Sequence, residues 1–134
     1  MSARSKARKR ALDVLYASEM RNRSTVDALE QQSEDGPVND YTVTLVQGVT
    51  EHQTRLDEVI STYAQGWTLA RMPAVDRNVL RLATFEVLFV DEVPNAVAVS
   101  EALNLVRDLS TDESPAFVNG VLGNIVRDRD LLAR

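Results

Sequence analysis

The chain has 134 residues, 44% of them hydrophobic and 26% charged, enough apolar material for a packed core and too much for a disordered tail. No apolar run nears the ~18 residues of a membrane span, and no apolar stretch follows the N-terminal charges as a secretory signal requires. With no cysteine, disulfides, cysteine-based metal sites and thiol catalysis are excluded, which fits a reducing cytoplasm.

The net charge of −5 divides unevenly. Arg4, Lys6, Arg8, Lys9 and Arg10 precede the first acid, Asp13, so the remaining residues hold 10 bases against 20 acids. A basic arm over residues 1–10 on an acidic body suits a polyanionic partner; a solubilising tail is the plainer alternative.

Helical periodicity runs through the whole chain, and no alternating segment ends in a hairpin turn. The first helix is predicted over residues 5–20, with Ala7, Ala11, Leu12, Val14 and Leu15 on one side. Arg4 and Arg8 lie over that apolar side; Lys6, Lys9 and Arg10 lie opposite. If docking begins near Ala7, a half-ordered cationic arm swings free ahead of it. Tyr16 falls beside the apolar stripe, near Lys9 and Met20. There it either stacks an unpaired base or sits as a boundary tyrosine with a wet hydroxyl.

A short polar helix is expected over 25–32, anchored by Val26 and Leu29, then a loop over 33–39. A long helix starts near Asp40, with Leu45, Val46, Val49, His52, Leu56, Val59, Ile60 and Tyr63 as its stripe. Gly48 within it predicts close approach of another helix, and Gly66 ends it. The helix over 74–90 is apolar on most sides, as a central helix is. Glu86 lies inside its apolar arc and calls for an arginine from another helix. Asp76, in its first turn, is expected to be open to a protein partner. Val99, Ala102, Leu103, Val106 and Leu109 mark the next helix. Ser114 and Pro115 open the last, read as N-cap and first helical residue. Six to seven helices give an all-α, compact helical bundle.

Catalysis finds no foothold. The one histidine, His52, reads as a hydrogen-bonded core residue, and neighbouring acids such as Asp112 and Glu113 do not face each other on a helix. Walker, G-x-G-x-x-G and G-x-S-x-G signatures are absent. The sequence predicts no enzyme, no metal and no cofactor. The start of the last helix offers backbone N–H groups, the ring of Phe117 and the amide of Asn119, which suit single-stranded RNA; Phe117 as plain core is the alternative.

Three motifs resemble the NusB family of bacterial transcription antitermination factors. They are Phe117-Val118-Asn119-Gly120-Val121-Leu122, Pro73-Ala74-Val75-Asp76-Arg77-Asn78-Val79-Leu80-Arg81, and the opening Ala7-Arg8-Lys9-Arg10-Ala11-Leu12-Asp13-Val14-Leu15-Tyr16. The resemblance spans nearly the whole chain, in order, as one RNA- and protein-binding domain over residues 1–134. It implies two small three-helix bundles and binding to the boxA segment of ribosomal RNA leader transcripts. The implied partners are NusE, a small-subunit ribosomal protein, and the transcribing RNA polymerase complex with other Nus factors, in the cytoplasm and without a membrane. Arg4, Lys6, Arg8, Lys9, Arg10, Glu113, Phe117 and Asn119 would face RNA. Glu113 stands where a family relative has aspartate. Tyr16, Asp76 and Arg77 would face NusE. A bundle of this size is compatible with one copy or a homodimer. Two alternatives stay open: an RNA-recognition domain like that fused to ribosomal RNA methyltransferases, and an adaptor that binds protein alone. Only nine residues follow Ile125, with no room for a cofactor domain.

Overall fold

A computed structural model of the protein describes residues 2–34 and 36–133. Of the expected loop 33–39, Asp35 lies outside the described residues, as do Met1 and Arg134. The described residues form α1 (Ala3–Met20), α2 (Thr25–Ser33), α3 (Asp40–Tyr63), a 3₁₀ turn (Leu69–Arg71), α4 (Ala74–Phe89), α5 (Asn95–Leu109), α6 (Ser114–Arg127) and α7 (Arg129–Leu132). The all-α expectation holds, and there is no strand among them.

Helices α1, α2 and α3 pack on one another, as do α4, α5 and α6; α4 joins the groups through α1 and α3. Twelve of the sixteen residues of α4 are buried, which makes it the central helix its composition predicts. The core runs through Leu12 and Leu15 of α1, Leu45, Val49, Leu56 and Ile60 of α3, Val79 and Leu80 of α4, Val106 of α5, and Val118, Leu122 and Ile125 of α6. Gly48 sits where α3 meets α4, and a Cβ there would overlap the Phe85 ring. The close approach read from that glycine is therefore real. Gly66 has φ +88°, a left-handed turn after α3.

Several local expectations are corrected. Val26 is exposed, and Ala28 is the buried anchor of α2. Leu109 also faces outward, because α5 turns Ala98, Ala102 and Val106 inward. His52 is half-buried, with no side-chain hydrogen bond to a described residue; it stacks on Phe89 at 4.1 Å and 16°.

Candidate nucleic-acid and partner interface

The basic arm is the opening of a helix rather than a loose tail. The Ser2 hydroxyl accepts the Ser5 backbone N–H at 3.1 Å and starts α1 at Ala3. Helical geometry then decides which cations reach solvent. Arg8 falls under the apolar stripe and is 4% exposed. Its Nε donates to both Glu86 oxygens, at 2.9 and 3.0 Å, and its Nη1 lies 3.2 Å from Glu101. The Tyr41 hydroxyl donates to the same Glu86 carboxylate. Burial acts to lower the pKa of Arg8, but the hydrogen bonds and charge of Glu86 outweigh it, so the net shift is upward. Burial and the Glu86 hydrogen bond push the Tyr41 phenol well above its ordinary range. Glu86 thus finds the arginine its position requires, and Arg8 cannot serve as the exposed RNA contact expected of it.

The other four cations differ. Arg4 is exposed, with its guanidinium 4.3 Å from the centroid of the Tyr41 ring. Lys9 bonds Asp13 at 2.8 Å, four residues on, and Arg10 bonds the Gln32 side chain and carbonyl. Lys6 is exposed, and its side chain makes no hydrogen bond or ion pair with a described residue.

A second group gathers where α4 and α6 begin. Asp76 is 2% exposed and accepts hydrogen bonds from Ser110 Oγ at 2.6 Å and Ser114 Oγ at 2.9 Å. This corrects its expected accessibility: it faces inward and ties the start of α4 to the start of α6. The same geometry corrects the N-cap. Ser114 is already the first helical residue, its hydroxyl is committed to Asp76 and Thr111, and α6 has no side-chain cap. Arg77, also expected to face a partner, is taken up inside the chain. Its Nε and Nη2 bond Glu19 at 2.6 and 2.8 Å, and its Nη1 bonds the Leu69 and Met72 carbonyls at 3.2 and 2.7 Å. Arg81 bonds Asp57 at 2.8 Å and lies 3.6 Å from Glu19. Burial raises the Glu19 carboxyl, yet Arg77 and Arg81 together hold it below its ordinary value. Of the three expected partner-facing residues, Tyr16 alone is open, at 41% exposure.

Phe117 is half-buried at the start of α6, and Glu113 and Asn119 are exposed on either side of it in sequence. Across from Phe117 stands Trp67, 54% exposed, with ring centroids 6.0 Å apart and planes tilted by 53°. Trp67, Arg71, Pro73, Thr111, Glu113 and Phe117 line an open groove of about 420 Å³. Arg71 is exposed and, like Lys6, makes no side-chain hydrogen bond or ion pair with a described residue. Sequence reading missed Trp67 and Arg71. They lie in a segment without period, where nothing tells an exposed ring from a buried one. The available signal was a tryptophan, the chain's only one, next to a glycine that ends a helix.

The two groups do not form one patch. Arg8 meets α4 at Glu86, while Asp76 meets α6 ten residues earlier on α4, about 15 Å along its axis. The α1 cations therefore lie at one end of α4 and Phe117 at the other. Tyr16 lies on α1 between Arg8 and Glu19, the residue that reaches Arg77. Among the described residues no three acids or histidines are placed to hold a metal ion, and no helix is long and apolar enough to cross a membrane.

Comparison with protein families matches residues 5–127 to the NusB family. Transcription antitermination protein NusB of a Nocardioides species is 65% identical over 135 residues, covering 99% of this chain and 100% of that protein. The protein of the same name from an Arthrobacter species is 56% identical, over 93% of each chain. Among solved structures, NusB of T. maritima matches with a TM-score of 0.86 and 32% identity, covering 95% of this chain and 92% of the other. A structure of antitermination factors NusB and NusE in complex with double-stranded RNA matches with a TM-score of 0.83 and 26% identity, covering 92% and 96%.

Proposed function

This chain belongs to the NusB family of transcription antitermination proteins, and from that premise we propose that it binds the boxA segment of ribosomal RNA leader transcripts together with NusE. In that role it helps RNA polymerase, with the other Nus factors, to read through terminators in the cytoplasm. It does so as one domain over residues 1–134, by binding and without catalysis. The reading rests on one observation above others. Two exposed cations that make no ion pair with a described acid sit beside aromatic rings: Arg4 over Tyr41, with Lys6 also exposed on the same first turns of α1, and Arg71 in one groove with Trp67 and Phe117. Cation and ring together are what a flexible single strand uses, phosphate on one and base on the other. The relative solved with NusE and double-stranded RNA supports both partners.

Within this reading Lys6, Arg4, Lys9 and Arg10 meet the phosphates near the start of α1. Phe117 and Asn119 meet bases near α6, with Glu113 at the rim. Tyr16 belongs to the NusE surface. Arg8, Asp76 and Arg77 shape the two patches from inside. The test is polarisation of labelled boxA-like RNA against a scrambled strand, with and without NusE, across a salt series. Tighter binding of the boxA-like strand is expected, with a log–log salt slope near −2 from about three engaged phosphates. Equal affinity for the scrambled strand, or a flat salt response, overturns the reading.

A further inference from the structure

The groove between the 3₁₀ turn and α6 presents an open aromatic face. Trp67 turns more than half of its surface to solvent, although burying an indole is strongly favourable. It is held open by its neighbours. The Trp67 backbone N–H donates to the Ala64 carbonyl at 3.3 Å, after the left-handed turn at Gly66. The ring then leans on Phe117 at a tilt too steep and a separation too small for a flat ring to enter between the two. The free face is therefore the outer face of Trp67. Arg71, four residues on, lines the same groove with an uncommitted guanidinium. Arg77 braces this segment through the Leu69 and Met72 carbonyls, so ring and cation have a fixed mount.

We infer that Trp67 and Arg71 form a stacking site for one unpaired nucleobase of single-stranded RNA, with the Trp67 indole carrying the base and Arg71 the adjacent phosphate. The inference rests on the RNA-binding reading above and adds to it a site and a selectivity. A base within a duplex has no free face to offer, so this groove selects unpaired RNA. Stacking tolerates any base, so the site contributes affinity rather than sequence.

Trp67 is the chain's sole tryptophan, so its emission reports on this site alone. The full chain is titrated with unlabelled boxA-like single-stranded RNA, with the same sequence as a duplex, and with NusE free of RNA. Binding is followed in parallel by polarisation of labelled RNA. Single-stranded RNA is expected to quench Trp67, and the duplex to leave it bright. Trp67→Ala should weaken single-strand binding about 5- to 100-fold, with Trp67→Phe keeping most of it. Arg71→Gln should reduce the salt slope by about 0.7, one phosphate's share. Melting curves of the variants separate these effects from unfolding. Polarisation that reports binding while Trp67 emission and the Trp67→Ala affinity stay unchanged overturns the inference and leaves the RNA-binding reading standing. Equal quenching by the duplex, or quenching by NusE alone, overturns it too, the latter giving the groove to protein. Absence of RNA binding to the parent chain overturns both.

Discussion

Arg8→Met separates a structural cation from a phosphate contact. Methionine keeps much of the buried stem and removes only the charge and its hydrogen bonds. Glu86, 2% exposed, then keeps only the Tyr41 hydroxyl as a partner. Breaking a buried ion pair from one side costs about 3–5 kcal/mol. With an unfolding entropy of about 2.1 cal/mol/K per residue, a chain of this length unfolds with about 0.28 kcal/mol/K. A loss of about 4 kcal/mol therefore lowers Tm by about 14 °C. Arg8→Met/Glu86→Met, which removes both charges, should recover much of that loss, because two apolar groups replace a pair that was expensive to desolvate. The measurements are thermal melting by circular dichroism and RNA polarisation well below both melting points. RNA affinity under those conditions should equal the parent's. A variant that melts like the parent and binds RNA more weakly refutes the placement of Arg8 inside the fold.

Three further outcomes follow from the packing. Gly48→Ala drives a methyl into the Phe85 ring; overpacking of about 1–3 kcal/mol exceeds the helix-propensity gain of about 1 kcal/mol, so the urea midpoint should fall, and Phe85→Leu in the same chain should restore part of it. Asp76→Ala leaves the Ser110 and Ser114 hydroxyls without their acceptor, a loss of about 1–3 kcal/mol, and hydrogen exchange should quicken in the first turn of α6 before it does in α3. The Glu19 carboxyl is held below its ordinary value, so the stability it adds is present above about pH 4.3 and lost as the pH falls through its lowered value; the gap between the parent and Glu19→Gln in urea unfolding should close on that acid side, and a constant gap down to pH 2 would remove Glu19 from the acid limb.

Periodicity made the helices legible, because each must bury one stripe and the stripes are long. α3 and α4 show this best: spacing puts Leu45 to Ile60 on one buried stripe, and a helix apolar on most sides over Val79 to Leu88 belongs at the centre. Glu86 was legible for the opposite reason, as a carboxylate that an apolar arc cannot hold without a counter-charge. What spacing does not carry is the choice of partner. Arg8 lay on the apolar side of its wheel, and still its charge ranked it with the RNA contacts; only the placement of Glu86 and Glu101 across the interface decides that it stays inside. Asp76 misleads in the same way: charge at a helix start suggests solvent, and it instead finds Ser110 and Ser114, remote in sequence. Arg77 is put at the partner surface by the family resemblance alone, and its partner Glu19 is likewise remote in sequence. Trp67 and Arg71 stayed hidden because a non-periodic turn gives no rule for which way a side chain points.

The rigidity of α4 sets a distance as well as a core. On the RNA-binding function proposed above, the α1 cations near Glu86 and Phe117 near Asp76 would act as the two jaws of a caliper, with the transcript supplying the slack between them. An oligonucleotide too short to bridge both jaws gains from one of them only. Once the strand is long enough, the second contact becomes intramolecular, and affinity rises in a step rather than in proportion to length.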